Sequence, residues 1–164
     1  MAEIGAPLTA DVEQRVRDSF ARQGLMAHLG ARLHRLGHGL AIIQMPYRPE
    51  LTQQHGYFHA GGSSAIADSA GGYAGFTLFP ADSSVLTVEF KLNLLNPGQG
   101  DYLEAVGRVV KAGRTLTVCQ LEVFGCTADS RSMVAVGQQT LICLRDRPDS
   151  AAAVSRPPAR PGGG

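Results

Sequence analysis

Apolar and polar positions recur along this chain with two different periods, and the change of period marks its elements. Across residues 9–23, Val12, Val16 and Phe20 fall four apart, Thr9 or Asp11 can cap the start, and Gly24 follows the end. That pattern predicts an amphipathic helix. Residues 30–47 alternate more loosely, with His38-Gly39 as a turn and Pro46 and Pro49 closing the run, which predicts a first β-hairpin. In residues 85–94 the even positions Leu86, Val88, Phe90, Leu92 and Leu94 are apolar, while Thr87, Glu89, Lys91 and Asn93 are polar. This is the period of a strand with one covered face, and it puts Thr87 on the polar side. Asn96-Pro97-Gly98 turns the chain. Residues 102–110, 115–124 and 133–144 are rich in β-branched side chains and predict three long antiparallel strands in succession. Lys111-Ala112-Gly113-Arg114 joins the first two, with Gly113 expected at positive φ.

Residues 60–75 follow neither pattern: nearly all are Gly, Ala or Ser, and Asp68 is the one carboxylate among them. Their length suits a helix, yet each internal glycine costs about 1 kcal/mol of helix propensity. Tertiary contact must therefore hold the segment helical, and small residues allow another backbone to approach it closely. A membrane span across residues 58–79 would bury Asp68 in mid-bilayer at a cost of about 2.5–3.5 kcal/mol, which argues against it.

Length and composition narrow the class of protein. With 164 residues, 44% hydrophobic and 18% charged, the chain fits one globular domain over residues 1–146. The tail, 147–164, carries four prolines and a terminal glycine triplet with little to bury, so it is expected to be disordered. A net charge of +1 without a Lys/Arg run gives no footprint for nucleic acid or an anionic membrane. Glu3, Asp11, Glu13 and Asp18 interrupt the first thirty residues, so no signal peptide is indicated and a cytoplasmic location is expected. Cys119, Cys126 and Cys143 are odd in number and lack C-x-x-C spacing, and they are expected to be reduced.

Candidate chemistry converges on the small-residue helix. A helix starting after His59 leaves its first N–H groups, from Ala60 to Ser63, without intrahelical partners at an electropositive end. Such an end suits a substrate carbonyl or oxyanion, and Gly61 and Gly62 keep its approach open. Asp68, set among Ile66, Ala67 and Ala70, is expected to be desolvated and hence reactive as a base or nucleophile, unless it lies on a solvated face. Eight residues separate Ala60 from Asp68, roughly 12 Å along one helix, whereas hydrogen bonding and attack reach roughly 3 Å. If the helix tip polarises a carbonyl and Asp68 activates water on it, the two come from different subunits, and a two-fold dimer is required. His34 and His38, and again His55 and His59, have a spacing that would suit a metal on a helix. Gly37 and Gly56 spoil both helices and no acidic ligand has matching spacing, so no metal site is expected.

The stretch Gln53-Gln54-His55-Gly56-Tyr57-Phe58-His59-Ala60-Gly61-Gly62, followed by Ala65-Ile66-Ala67-Asp68-Ser69-Ala70, resembles the signature of the PaaI-like hotdog thioesterases. That signature is H-G-G, an acid nine residues after the histidine, and a small-residue helix. Here Ala60 stands at the first glycine, and His59 and Asp68 keep the spacing. The resemblance runs over residues 30–145, through Thr87-Val88-Glu89-Phe90, Asn96-Pro97-Gly98 and residues 107–114. It implies an α+β hotdog fold, a curved antiparallel sheet wrapped around a long central helix, here with an added N-terminal helix. It implies an acyl-CoA thioesterase that needs no cofactor, coenzyme A being part of the substrate, with sites at a homodimer interface and commonly a tetramer. By the same resemblance Asp68 is base or nucleophile, the Ala60 or Gly61 N–H of the other chain polarises the thioester carbonyl, and His59 helps orient it. Gln53 falls where relatives place an Asn that positions water or the carbonyl, and Thr87 where some have Ser. Gly62 belongs to the helix start, and Lys111 and Arg114 flank a hairpin that could meet coenzyme A phosphates. The alternatives are a non-catalytic acyl-CoA binding protein and, less favoured, a hotdog dehydratase.

Overall fold

The computed structural model describes residues 3–150. Ten segments form in order: helices α1 (Ala10–Ala21) and α2 (Gly24–Leu29), strands β1 (Arg32–Gly37) and β2 (Leu40–Pro46), a 3-10 turn at Pro49–Leu51, helix α3 (Ala60–Phe76), and strands β3 (Ser84–Leu94), β4 (Tyr102–Ala112), β5 (Leu116–Cys126) and β6 (Arg131–Leu144). Thr9 precedes α1 without making a side-chain cap, and Val16 is buried. Arg15 reaches from α1 to the end of α3, where it donates to the carbonyl oxygens of Phe76, Phe79 and Pro80 and lies 4.4 Å over the Phe76 ring. A cation there satisfies carbonyls that the helix end leaves free, although burial pushes its pKa down.

Gly24 does not end the helical region as expected. The chain breaks after Ala21 and restarts as α2, because Met26 and Leu29 both reach the core, and Gly30 at φ 65° closes that second helix. Of the tail, Arg147–Ser150 has no regular structure, but Arg22 holds Asp149 at 2.6 Å. The expectation of disorder over 151–164 falls outside the described residues.

All strand pairs are antiparallel, in the order β1-β2-β4-β5-β6-β3. Helix α3 touches β2, β3, β4, β5 and β6. Five strands at about 4.8 Å spacing are wider than a helix of about 10 Å diameter, so the sheet must curl around α3 to reach it. This is the hotdog architecture. The small residues of α3 are explained by the contact: a side-chain carbon on Gly107 of β4 would lie 2.3 Å from the main chain of Ala70, and one on Gly75 would lie 2.4 Å from Leu141.

Two local expectations fail for identifiable reasons. Gly113 is not among the residues at positive φ; its lack of a side chain serves instead the close approach of Leu116 O, which accepts its N–H at 2.9 Å. In β3 the register against β6 shifts between Thr87 and Glu89, so Val88 is an extra residue and the strand changes face there. Val85 before the bulge and Leu92 after it both pack on the core. Thr87 therefore turns toward α3 and not to the polar side. β3 is also a sheet edge, and Leu86, Val88, Phe90 and Leu94 remain 43–57% exposed. The single covered face that their alternation predicts does not form: the bulge sets Leu86 on one side of the strand and Phe90 and Leu94 on the other, and both sides are left partly open along this edge. Among the described residues no helix is long and apolar enough to cross a membrane.

The Gly107–Ala70 contact can be tested directly. Gly107→Ala presses a methyl group into backbone, and overpacking of this kind typically costs about 1–3 kcal/mol. In a chain of this size the melting temperature should fall by roughly 2–12 °C by thermal unfolding.

Candidate active site

Gly61 owes its place at the start of α3 to His59. The His59 side chain accepts the Gly61 N–H through Nδ1 at 2.8 Å, and a side-chain carbon at residue 61 would sit 3.0 Å from that nitrogen. His59 is thus the N-cap, a role its spacing to Asp68 did not reveal. The Gly61 N–H, one of two candidates for a substrate carbonyl, already has this partner. The N–H groups of Gly62 and Ser63 turn toward His59 O at 3.0 and 3.3 Å. Among the described residues the N–H of Ala60 has no acceptor, and it is the donor left open at this helix tip. Gly62 abuts Met45 of β2, 3.0 Å from where its side chain would begin, so packing on β2 accounts for it.

Ala60 opens onto a cleft of about 430 Å³ formed with Gln53, Tyr57, Ser63 and the chain from Leu94 to Gly98. Gln53 lines the cleft but folds back on its own turn, its side-chain oxygen accepting the His55 N–H.

Asp68 lies two turns further along α3, in a second cleft of about 430 Å³ with Ser19, Gln23, Ser69, Gly72, Tyr73 and Thr87. It is half-buried, so the full desolvation expected from its apolar neighbours does not occur. Its carboxylate is instead fixed by hydrogen bonds. Oδ1 accepts from the Thr87 hydroxyl at 2.7 Å and from Gln139 Nε2 at 2.6 Å. The β3 bulge delivers the threonine, and Gln139 comes from the middle of β6.

Gln139 was invisible to sequence patterning, being one glutamine within the pair Gln138-Gln139 of a β strand. It is 1% exposed, and its Oε1 is buried without a hydrogen-bond partner. Leaving such an acceptor unpaired costs about 1–3 kcal/mol. Gly71 makes room for it, since a side-chain carbon there would fall 1.8 Å from Oε1.

Around the same cleft, the Tyr73 hydroxyl meets Ser19 at 3.3 Å and accepts from Gln23 at 3.0 Å, while Ser69 donates to Gln23 at 3.2 Å. Burial pushes the Tyr73 pKa up, opposed by these two hydrogen bonds. Lys111 at the end of β4 and Arg114 in the following turn line neither cleft. No cluster of three or more His, Cys, Asp or Glu among the described residues has the geometry to hold a metal ion.

Comparison with known proteins decides the family. Residues 55–125 match the family model described as the thioesterase superfamily. A solved thioesterase family protein from Silicibacter pomeroyi is 47% identical and superposes with a TM-score of 0.80 over 82% of this chain and 98% of that one. The chain belongs to the thioesterase superfamily.

A candidate esterase of Saccharolobus solfataricus is 32% identical to this thioesterase over 94 residues, 57% of this chain and 66% of that protein. The 1,4-dihydroxy-2-naphthoyl-CoA hydrolase of Listeria monocytogenes is 21% identical over 124 residues, 76% of this chain and 98% of that protein. The thioesterase is thus a thioester hydrolase, and its cysteines are poor candidates for the nucleophile. All three are free and buried, and burial pushes the Cys119 thiol up to about 12. A thiol must ionise to attack. Native protein treated with iodoacetamide at pH 8 should keep its full hydrolytic rate, with label incorporation followed by mass spectrometry; loss of rate in step with labelling would reinstate a cysteine.

Proposed function

We propose that this thioesterase hydrolyses an acyl-coenzyme A at a site shared by two copies of the chain, Asp68 from one and the Ala60 N–H from the other. The carrying observation is that these two groups open into separate clefts at opposite ends of β3. Thr87, near the start of β3, touches Asp68, and Leu94, its last residue, borders the Ala60 cleft. Neither cleft holds both a base and a carbonyl-binding donor.

The uncovered edge supplies the way to join them. An edge strand with exposed Leu86, Val88, Phe90 and Leu94 is an open hydrogen-bonding ladder with an apolar surface. Antiparallel pairing of two β3 strands about a centre near Phe90 sets Leu94 of the second copy beside Leu86. That carries the second copy's helix tip toward the Asp68 cleft and covers the apolar side chains. The resemblance in residues 53–70 to PaaI-like thioesterases and the Listeria hydrolase's action on a CoA thioester support acyl-CoA as substrate class. A tetramer of such dimers belongs to the same proposal. Three free cysteines among the described residues support a reducing compartment such as the cytoplasm as part of this reading.

Asp68 takes one proton from a water molecule as the water oxygen forms a bond to the thioester carbon. The Ala60 N–H, at the positive end of α3, stabilises the negative charge that develops on the carbonyl oxygen. The tetrahedral adduct then expels the sulfur, the C–S bond breaking with its electron pair on coenzyme A, and the proton held by Asp68 neutralises the departing thiolate. The products are a free thiol and a carboxylic acid. Water is the only other reactant in this scheme, and no cofactor enters it. His59 holds the tip's geometry, and Gln53 borders the cleft where the thioester arm would enter.

Two variants separate the parts. Asp68→Asn should lower kcat by about 10²–10⁴-fold. Ala60→Pro removes only the open N–H, at the first helical position, where proline is favoured. His59 already has the extended backbone, φ −67° and ψ 137°, that precedes proline. Its rate should fall by about 10²–10³-fold. Dissociating and mixing the two inactive proteins should restore about a quarter of the parental rate, because half the dimers are mixed and one of their two sites is intact. A site built within one chain would show no restoration in thiol release from acyl-CoA.

A further inference from the structure

Asp68 presents two oxygens, and the protein treats them differently. Oδ1 accepts two hydrogen bonds, from Thr87 and Gln139, whereas Oδ2 has no protein partner among the described residues. The Gln139 amide nitrogen does more than meet Oδ1. It lies 3.1 Å from the main-chain oxygen of Asp68 and 2.9 Å from the Thr87 hydroxyl, so three acceptors share its two N–H groups. Its own oxygen is buried against Gly71 with no donor to bond. A flipped amide would turn that oxygen toward the two oxygens of Asp68, acceptor against acceptor, so the orientation has one sense only.

We propose that Gln139 is a positioning residue that, with Thr87, commits Oδ1 of Asp68 to the protein and leaves Oδ2 as the oxygen that reacts. This rests on Asp68 being the group that activates water. Gln139 itself stays clear of substrate: its side chain is buried behind Asp68, and it lines neither cleft. With Oδ1 tied to β3 and β6 and the Asp68 main-chain oxygen tied to the same amide, three hydrogen bonds fix the side chain's orientation through its backbone and one carboxylate oxygen. Oδ2 is then the oxygen that takes the proton from water. The other charged groups on this cleft are Arg22 and Asp149, paired with each other at 2.6 Å. Asp68 is the one charged residue of α3, and Glu89 of β3 faces Thr140, away from Gln139.

Three variants test this by steady-state hydrolysis across pH, with far-UV circular dichroism to confirm folding. Gln139→Met keeps the volume and removes the donors; kcat should fall by roughly ten- to a hundredfold with KM unchanged, as expected when a reacting group is misplaced without loss of substrate contact. Gln139→Glu keeps the shape and places a second carboxylate against Oδ1. The pair then holds a proton more tightly, so the basic form of Asp68 appears only at higher pH. The acid limb of the kcat profile should move up by roughly one pH unit or more, and much of the lost rate should return at alkaline pH. An unmoved limb in Gln139→Glu shows that residue 139 does not face the reacting carboxylate and overturns the proposal; a Gln139→Met enzyme with parental kcat, as a purely structural glutamine would give, overturns it too. If Gln139→Met does not fold, the isosteric Gln139→Glu decides alone. Asp68→Asn, run alongside, separates the two claims: an active Asp68→Asn enzyme removes the reading of Asp68 itself, whereas an inactive one beside normal Gln139 variants removes only the role of Gln139.

Discussion

The main chain of Ala70 meets that of Gly107 with no space for a side chain between them, and this contact sets how deeply α3 lies in the sheet. Everything near Asp68 depends on that depth. A hydrogen bond weakens steeply beyond its narrow distance range, so a helix standing one methyl group further out would lose Gln139 and Thr87 together. The glycines that look like a poor helix are the condition for a well-placed carboxylate. What α3 lacks in intrinsic propensity is made up by burial of its own Ile66, Tyr73 and Phe76 in the core.

Most of the fold was legible because its elements are long and strongly periodic. The first hairpin and four strands in the second half stand where period and turn residues place them, and the helix through residues 60–75 stands where its length and small residues do. The unread features are those where a count of one residue matters. Val88 is apolar and fits the alternation of β3, so nothing in composition reveals that it is an insertion which flips the face of Thr87. The break at Arg22 is similarly hidden, since Met26 and Leu29 become informative only once the core is known.

The chemical residues divide in the same way. His59, Ala60 and Asp68 were visible because they share one helix, where spacing translates directly into geometry. Gln139 was not, because its relation to Asp68 spans 71 residues and is made by pairing between strands. The helix tip shows a further limit of reading by motif. A histidine followed by small residues suggests several free N–H donors, yet the imidazole takes one of them and the helix geometry turns others inward. The electropositive end is thereby narrowed to a single open donor, which is a more selective arrangement than a row of competing ones.

The bulge at Val88 has a consequence for how tightly two properties of β3 are bound together. With an even pleat throughout, Thr87 would lie on the side of the strand opposite Leu92, and the acid's pocket and the later packing of β3 on the core would call for opposite sides. The added residue re-phases the strand partway along, so that Thr87 before it and Leu92 after it face the same way. Single substitutions along β3 leave that phase intact, whereas gain or loss of one residue would turn either the hydroxyl that steadies the acid or the aliphatic side chains of the later half away from the interior.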